Sequence, residues 1–274
     1  MKSHRVGGKK LSVIVPAYKA QRFIKNNLLK IKKVLDETVN QYEIICVVDG
    51  RNIDRTLLEA KKAEKLFPKK ISIYSYKKNL GKGHAVRYGF ARATGDIIAF
   101  IDAGIELNPN GLQMLLAHFE WYKADIIVGS KRHQASKVVY PWQRKIMSFI
   151  YQILVRILFD INIKDTQVGM KFFRREVLEK VTPRLLVKQF AFDIEILAVA
   201  NRLGFKRIYE APVELKMRFS GPSTIITKKF FKIVFLMVWD TIAVFYRLKI
   251  INFYDYSNRK NWLTKDSLIL KTER

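Results

Sequence analysis

The chain has 274 residues, 49% of them hydrophobic and 27% charged, which supplies a full core and excludes a disordered or collagen-like protein. Its 51 Lys+Arg against 24 Asp+Glu leave a net charge of +27, far more than solubility requires, so an anionic partner is expected: nucleic acid, acidic lipid or a phosphorylated substrate. The single cysteine, Cys46, lies in an apolar run, which excludes a disulfide framework and a cysteine-based metal site and fits a reducing setting.

The opening MKSHRVGGKK is polar and basic with no apolar stretch behind it, so no signal peptide and no export are expected. Short β-branched runs then alternate with longer helical patterns: Leu11–Val15, Tyr42–Val48, Ile71–Tyr74, Asp96–Ile101 and Asp125–Val128 read as strands. Between them Phe23, Leu28, Ile31 and Leu35, and again Leu57, Ala60, Ala63 and Leu66, keep helical spacing with lysines on the intervening positions. This alternation is the signature of a mostly parallel α/β sheet under covering helices with basic outer faces. The second half reads as a long aromatic-aliphatic helix from about Trp142 to Phe159, a turn-like Asp160–Gly169 segment and a helix near Phe192–Leu203.

Over Lys228–Lys249 a helical wheel gathers Lys228, Lys229, Lys232, Asp240, Arg247 and Lys249 on one half and Phe230, Val234, Met237, Val238, Thr241, Val244 and Phe245 on the other. A membrane-surface helix and a helix packed on the domain core share this wheel. The Trp142–Phe159 helix is split in a similar way, with Arg144, Lys145, Ser148, Gln152 and Arg156 toward one side. Two such helices in so basic a chain favour a lipid surface. No segment approaches the ~20 apolar residues of a spanning helix. The organisation expected is a domain over residues 1–224 and an amphipathic helix with a basic tail over 225–274, the tail from Asn252 solvated and Trp262 a candidate interfacial anchor.

Sites in an open α/β sheet lie at the carboxyl ends of its strands. Those ends carry Pro16-Ala17-Tyr18, Asp49-Gly50, Asn79-Leu80-Gly81-Lys82-Gly83 and Asp102-Ala103-Gly104-Ile105-Glu106. A strand-end aspartate can accept from a ribose or base, a Gly-Lys-Gly turn brings amides and a cation to phosphate, and carboxylates after a strand can hold a divalent ion. Each alone also suits a plain turn or helix cap; their order and placement describe a nucleotide-diphosphate pocket.

Through LSVIVPAYKAQRFI, YEIICVVDG, NLGKGHAVRYGFARATGDIIAFIDAG, DIIVGSKR, KDTQVGMKFFRR and FAFDIEIL, in that order, the chain resembles the inverting family-two glycosyltransferases of GT-A fold, most closely their dolichyl- and polyprenyl-phosphate glucosyltransferase and mannosyltransferase branch. The resemblance covers roughly Leu11 to Ser223 and implies a Rossmann-like, mostly parallel sheet. It implies that Pro16, Ala17, Tyr18 and Asp49 line the nucleoside site with Lys82 near the nucleotide, and that Asp102, beside Ala103, is the first carboxylate of an Asp-x-Asp motif binding Mg2+ or Mn2+. It further implies that Arg132 meets phosphate, that Asp165, Gln167 and Lys171 wall the acceptor side, and that Asp193 and Glu195 lie close to the sugar. Asp193 also suits a plain helix-start carboxylate. Gly104 stands where the second Asp is expected, Lys19-Ala20 replaces Asn-Glu, and Val48-Asp49 replaces paired aspartates; Glu106 is then the candidate partner of Asp102 on the metal.

The function implied is transfer of a hexose, with inversion, from a nucleotide sugar to a polyprenyl or dolichyl phosphate by a peripheral enzyme at the cytoplasmic face of an anionic membrane. Asp165 or Asp193 would orient the acceptor. UDP-glucose is the expected donor, and GDP-mannose, or a non-catalytic relative with Gly104 as the lesion, is the alternative. Nucleic acid is not expected, because the lysines are spread over many helix faces and no zinc-finger, RRM-like or basic-zipper pattern occurs.

Overall fold

The computed structural model describes residues 8–104, 106–139, 142–216 and 228–263. The first half alternates as the hydrophobic pattern requires: β1 (Leu11–Ala17), α1 (Ile24–Thr38), β2 (Tyr42–Asp49), α2 (Thr56–Leu66), β3 (Ile71–Tyr76), α3 (Lys82–Phe90), β4 (Ile97–Ile101), α4 (Gly111–Trp121) and β5 (Ile126–Ser130). There follow β6 (Lys137–Val139), α5 (Trp142–Phe159), β7 (Met170–Arg174), α6 (Arg175–Val181), α7 (Phe192–Arg202), β8 (Ile208–Pro212), β9 (Glu214–Lys216) and α8 (Lys228–Phe245), and a short α9 (Arg259–Trp262). The seven-stranded sheet runs β3-β2-β1-β4-β7-β5-β8, and β6 pairs with β9 in a small second sheet.

All pairings of the large sheet are parallel except those of β7, which is antiparallel to both β4 and β5. The turn-like segment ending at Gly169 thus leads into a central strand that the sequence pattern does not announce. Its first four residues, Met170–Phe173, are all buried, so no apolar-polar alternation marks them. Because β7 runs backwards, its start, not its end, lies beside the carboxyl end of β4: the Asp102 amide donates to the Gly169 carbonyl (2.8 Å).

Period-two alternation divides the core between the two faces of the sheet. Val13 and Val15 join α1, α2 and α4 on one face, and Ile14 joins α3, α5, α6, α7 and α8 on the other. Each fully buried aliphatic or aromatic side chain contributes roughly 1.5–3 kcal/mol.

The expected boundary at 224/225 lies outside the described residues. Beyond it, Val244, Leu248 and Tyr254 belong to the second core cluster. The half of α8 that the wheel marks apolar is therefore the half that packs on the domain, with Thr241 and Val244 fully buried. The opposite half, expected to be charged, exposes Phe235, Leu236, Trp239, Ile242 and Tyr246. Nor is the segment after Asn252 a solvated tail as far as Leu263: Tyr254 is fully buried, its carbonyl accepts from the Arg184 guanidinium (2.9 Å), and Trp262 is buried under that same arginine. Trp262 is thereby a packing residue, not an interfacial anchor. Residues 264–274 lie outside the described residues.

Candidate active site

The carboxyl end of β4 and the starts of α3, β7 and α7 bring together one cluster of alternating charge. Lys82 Nζ lies 3.1 Å from Asp102 Oδ1 and 3.0 Å from Asp193 Oδ2. Lys171 Nζ lies 2.5 Å from Asp193 Oδ1 and donates to the Val168 carbonyl (2.8 Å). Lys171 and Asp193 are almost wholly buried, whereas the Asp102 side chain is 40% exposed. Burial alone would lower the pKa of Lys82, but Asp102 and Asp193 together outweigh it and hold the ammonium charged. For Lys171 burial prevails over Asp193, and its pKa is lowered.

Two glycines set this geometry. Gly81 precedes α3 at φ +101, where a side chain would be strained, and so turns the chain to place Lys82 as the first helical residue. A Cβ on Gly169 would stand 1.8 Å from Asp102 Oδ2, so any other residue there would displace that carboxylate from its place against the start of β7. Gly104, in contrast, faces open space: a Cβ there meets nothing within 4 Å. The turn itself is held from α1, where Asn27 donates to the carbonyls of Ala103 (2.8 Å) and Gly104 (3.4 Å).

Asp49 is buried, and its carboxylate accepts from Asn79 Nδ2 (2.7 Å), the Leu80 amide (2.7 Å) and the Gly81 amide (2.9 Å). It shapes the loop before Lys82. Asp165 is likewise occupied: Oδ2 accepts from the Lys131 amide (3.0 Å) with Lys131 Nζ at 3.6 Å, and Oδ1 accepts from the Gln167 amide (3.1 Å). Beside this loop an apolar cavity of about 350 Å3 opens between α5 and α8, lined by Tyr151, Leu154, Phe190, Val234 and Met237, with Lys131 and Gln167 as polar members of its wall. Gln167 Nε2 is buried without a hydrogen-bond partner. The segment Asp165–Lys171 thus joins the cavity to the charged cluster.

The family model for glycosyl transferase family 2 matches residues 12–182, more than half of the chain and every strand-end segment just described up to β7. The chain belongs to glycosyl transferase family 2. Among curated relatives, this family-2 chain is 32% identical over 205 residues to a dolichyl-phosphate beta-glucosyltransferase of Dictyostelium discoideum, covering 71% of this chain and 63% of the relative. To the enzyme of the same description from Drosophila melanogaster it is 32% identical, covering 70% and 63%. The chain therefore spans less than two thirds of the length of these relatives.

Solved structures give the family-2 chain its fold. Glucosyl-3-phosphoglycerate synthase from Mycobacterium tuberculosis, in complex with Mn2+, UDP and phosphoglyceric acid, superposes with a TM-score of 0.66 at 17% identity, covering 87% of this chain and 79% of that one. Mannosyl-3-phosphoglycerate synthase from Rubrobacter xylanophilus gives a TM-score of 0.67 at 14% identity, covering 88% and 75%. These establish the GT-A-like architecture.

Of the residues singled out in the family-2 sequence, Lys82, Asp102, Lys171 and Asp193 come together, and Gln167 adjoins them. Others are placed differently. Ala17 and Ala103 are buried in the hydrophobic core, so only their backbone can face a ligand, whereas Tyr18, after Pro16, is half exposed. Glu106 is exposed on a cleft with Asn27, Lys30, Asn108, Glu214 and Lys216 that Asp102 does not line. Asp102 and Glu106 thus do not line one cleft together, and among the described residues no group of three or more His, Cys, Asp or Glu side chains is placed to hold a metal. Glu195 is fully buried and accepts from the Leu186 and Val187 amides and from Tyr254 Oη, so it braces the loop before α7 and does not face a sugar. Arg132 turns into a neighbouring cleft against Phe149, outside the Lys82 cluster. The residues missed are Lys131, adjacent to the arginine that drew attention, and Asn27, whose only signal is an amide on the apolar stripe of α1 between Ile24 and Ile31.

Proposed function

We propose that this protein is an inverting glycosyltransferase that moves a hexose, glucose from UDP-glucose in the first instance, to a polyprenyl phosphate at the cytoplasmic face of a membrane. The observation that carries this reading is the apolar cavity between α5 and α8, whose wall includes Lys131 and Gln167 and which adjoins the Lys82–Asp102–Asp193–Lys171 cluster. An isoprenoid chain suits the apolar lining and a phosphate suits an ammonium beside a free amide N–H. The relatives named as dolichyl-phosphate glucosyltransferases support the same assignment.

In the reaction, an acceptor phosphate oxygen attacks the anomeric carbon while the bond from that carbon to the diphosphate oxygen breaks, and negative charge grows on the departing nucleoside diphosphate. Lys82, held charged between Asp102 and Asp193, is the cation placed to stabilise that charge. Lys171 acts through Asp193 as a positioning residue. Asp165 and Asp193 have both oxygens engaged, so neither is a free general base. An acceptor that is already anionic near neutral pH needs none, and positioning dominates. Asp165 instead fixes Lys131 toward the acceptor.

A divalent ion fits this site through Asp102 alone, which is half exposed at the strand end beside the open position at Gly104. Mg2+ and ions like it are commonly held by one or two carboxylates with substrate phosphates completing the shell. When bound, the ion would neutralise charge on the donor diphosphate.

Two exposed apolar rows on a cationic molecule support a membrane-borne acceptor. α5 exposes Ile146, Phe149, Ile150, Ile153 and Ile157, and α8 exposes its own aromatic-aliphatic row, in a molecule of net charge +27. No helix among the described residues is long and apolar enough to cross a membrane. Thermal unfolding with UDP-glucose, GDP-mannose and their free diphosphates, each in EDTA, Mg2+ or Mn2+, tests the donor. Saturation at about 100-fold over Kd stabilises by about 2.7 kcal/mol, and the expected outcome is a metal-enhanced shift with the uridine compounds. A shift with guanosine compounds alone reassigns the donor to GDP-mannose, and no shift with any of them contradicts the enzyme reading.

A further inference from the structure

On the flank of α5 away from the proposed acceptor cavity lies a second cleft, of about 330 Å3, lined among others by Arg132, Phe149, Gln152, Arg156, Asn162 and Lys164. Three cations and two amides line it and no carboxylate does. The nearby Glu210 is taken up by the backbone amides of Lys164 and Asp165 (3.0 Å each). Arg132 reaches in with its guanidinium over the Phe149 ring, 5.5 Å from the centroid, and its Nε and one terminal nitrogen are buried without a hydrogen-bond partner. A buried guanidinium with unmet donors is costly unless an acceptor completes it, and a phosphate does so in a two-pronged fit.

The cleft borders the exposed apolar stripe of α5. Phe149 and Ile153 belong to both, at 54% and 45% exposure, and Ile157, one turn on, is 75% exposed. Were that stripe to lie at the boundary of acyl chains and headgroups, the cleft would bring Arg132, Arg156 and Lys164 beside the headgroups.

The geometry points to a second phosphate site: the Arg132–Arg156–Lys164 cleft binds the phosphodiester headgroup of an anionic phospholipid, separate from the acceptor, and fixes the protein on the membrane with its acceptor cavity open to the lipid. This rests on the membrane reading above. The occupant is membrane-borne, because the cationic wall is continuous with the apolar stripe.

The test is co-sedimentation of the full chain at physiological ionic strength with phosphatidylcholine vesicles, with and without phosphatidylglycerol and always without polyprenyl phosphate. Arg156→Gln/Lys164→Gln is compared with Lys61→Gln/Lys65→Gln, which removes the same two charges from the exposed face of α2. The expected result is that phosphatidylglycerol strengthens binding of the native chain, that the cleft variant loses more than about tenfold of that gain, and that the α2 variant changes by less than about twofold. Equal weakening of the two variants would overturn the site in favour of diffuse charge attraction. Release by millimolar glycerol phosphate would assign the cleft to free phosphate esters and overturn the lipid assignment. Failure of the native chain to bind either vesicle would instead sink the membrane reading itself.

Discussion

Lys82 stands between two carboxylates, one buried and one open to solvent, and that asymmetry is what makes the cluster useful. Asp193 cannot leave its two lysines without stranding a buried charge, whereas Asp102 can turn toward a ligand. The open space at Gly104 gives a direct probe of whether Asp102 holds a metal ion. Gly104→Asp introduces a carboxylate with no backbone strain and no clash, and we expect the Mn2+ concentration needed for half-maximal nucleotide binding to fall about tenfold, as more charged ligands tighten such sites. Titration calorimetry of the variant checks this; an unchanged metal requirement would contradict the placement of the ion at Asp102. At this scale the sequence revealed residue types but not their directions. Lys131 and Arg132 are adjacent, and only the fold shows that the first faces the cavity with Gln167 while the second crosses to the other flank of α5.

Elements were legible wherever local pattern decides them. The five strands of the first half and the helices at Trp142–Phe159 and near Phe192–Leu203 are where the periodicity puts them. β7 was not, because a strand buried on both faces has no alternation and its antiparallel course depends on neighbours far away in sequence. For α8 the wheel located the half that packs on the core, but not the character of the opposite half, which exposes Phe235, Leu236, Trp239, Ile242 and, just beyond the helix, Tyr246. The segment beyond it is fastened through Tyr254, whose hydroxyl donates to the fully buried Glu195 (2.7 Å). Tyr254→Phe deletes one bond to a buried carboxylate that keeps its two amide partners. We expect a loss of roughly 1.5–3 kcal/mol in urea unfolding, with faster hydrogen exchange over residues 246–263. Unchanged stability and exchange would show that the segment is held by packing alone.

At the scale of the whole molecule we expect two histidines to make the fold sensitive to acid. His84 sits among Tyr76, Tyr88, Arg87 and Lys188, and burial first, then Arg87 and Lys188, lower its pKa below the usual value, with Asp49 opposing. A histidine whose proton is disfavoured in the fold costs stability as pH falls through about 6.5 toward its lowered value, since the unfolded chain takes up the proton first. His118, also lowered by burial and then by His133, adds in the same direction. Melting temperatures between about pH 7 and pH 5 should therefore fall with acid in the native chain and fall less in His84→Gln, and identical slopes would remove His84 from this role.

All three scales meet in the claim that the Lys82 cluster and the α5–α8 cavity form one transfer site. The most direct measurement is incubation of the full chain with radiolabelled UDP-glucose and polyprenyl phosphate in vesicles, followed by extraction of label into the lipid phase. The account expects a labelled glycolipid from the native chain and at least about a hundredfold lower rate from Lys82→Ala, the scale of losing one group that stabilises developing charge. Nucleotide binding without any label reaching lipid, from UDP-glucose or GDP-mannose, would contradict it.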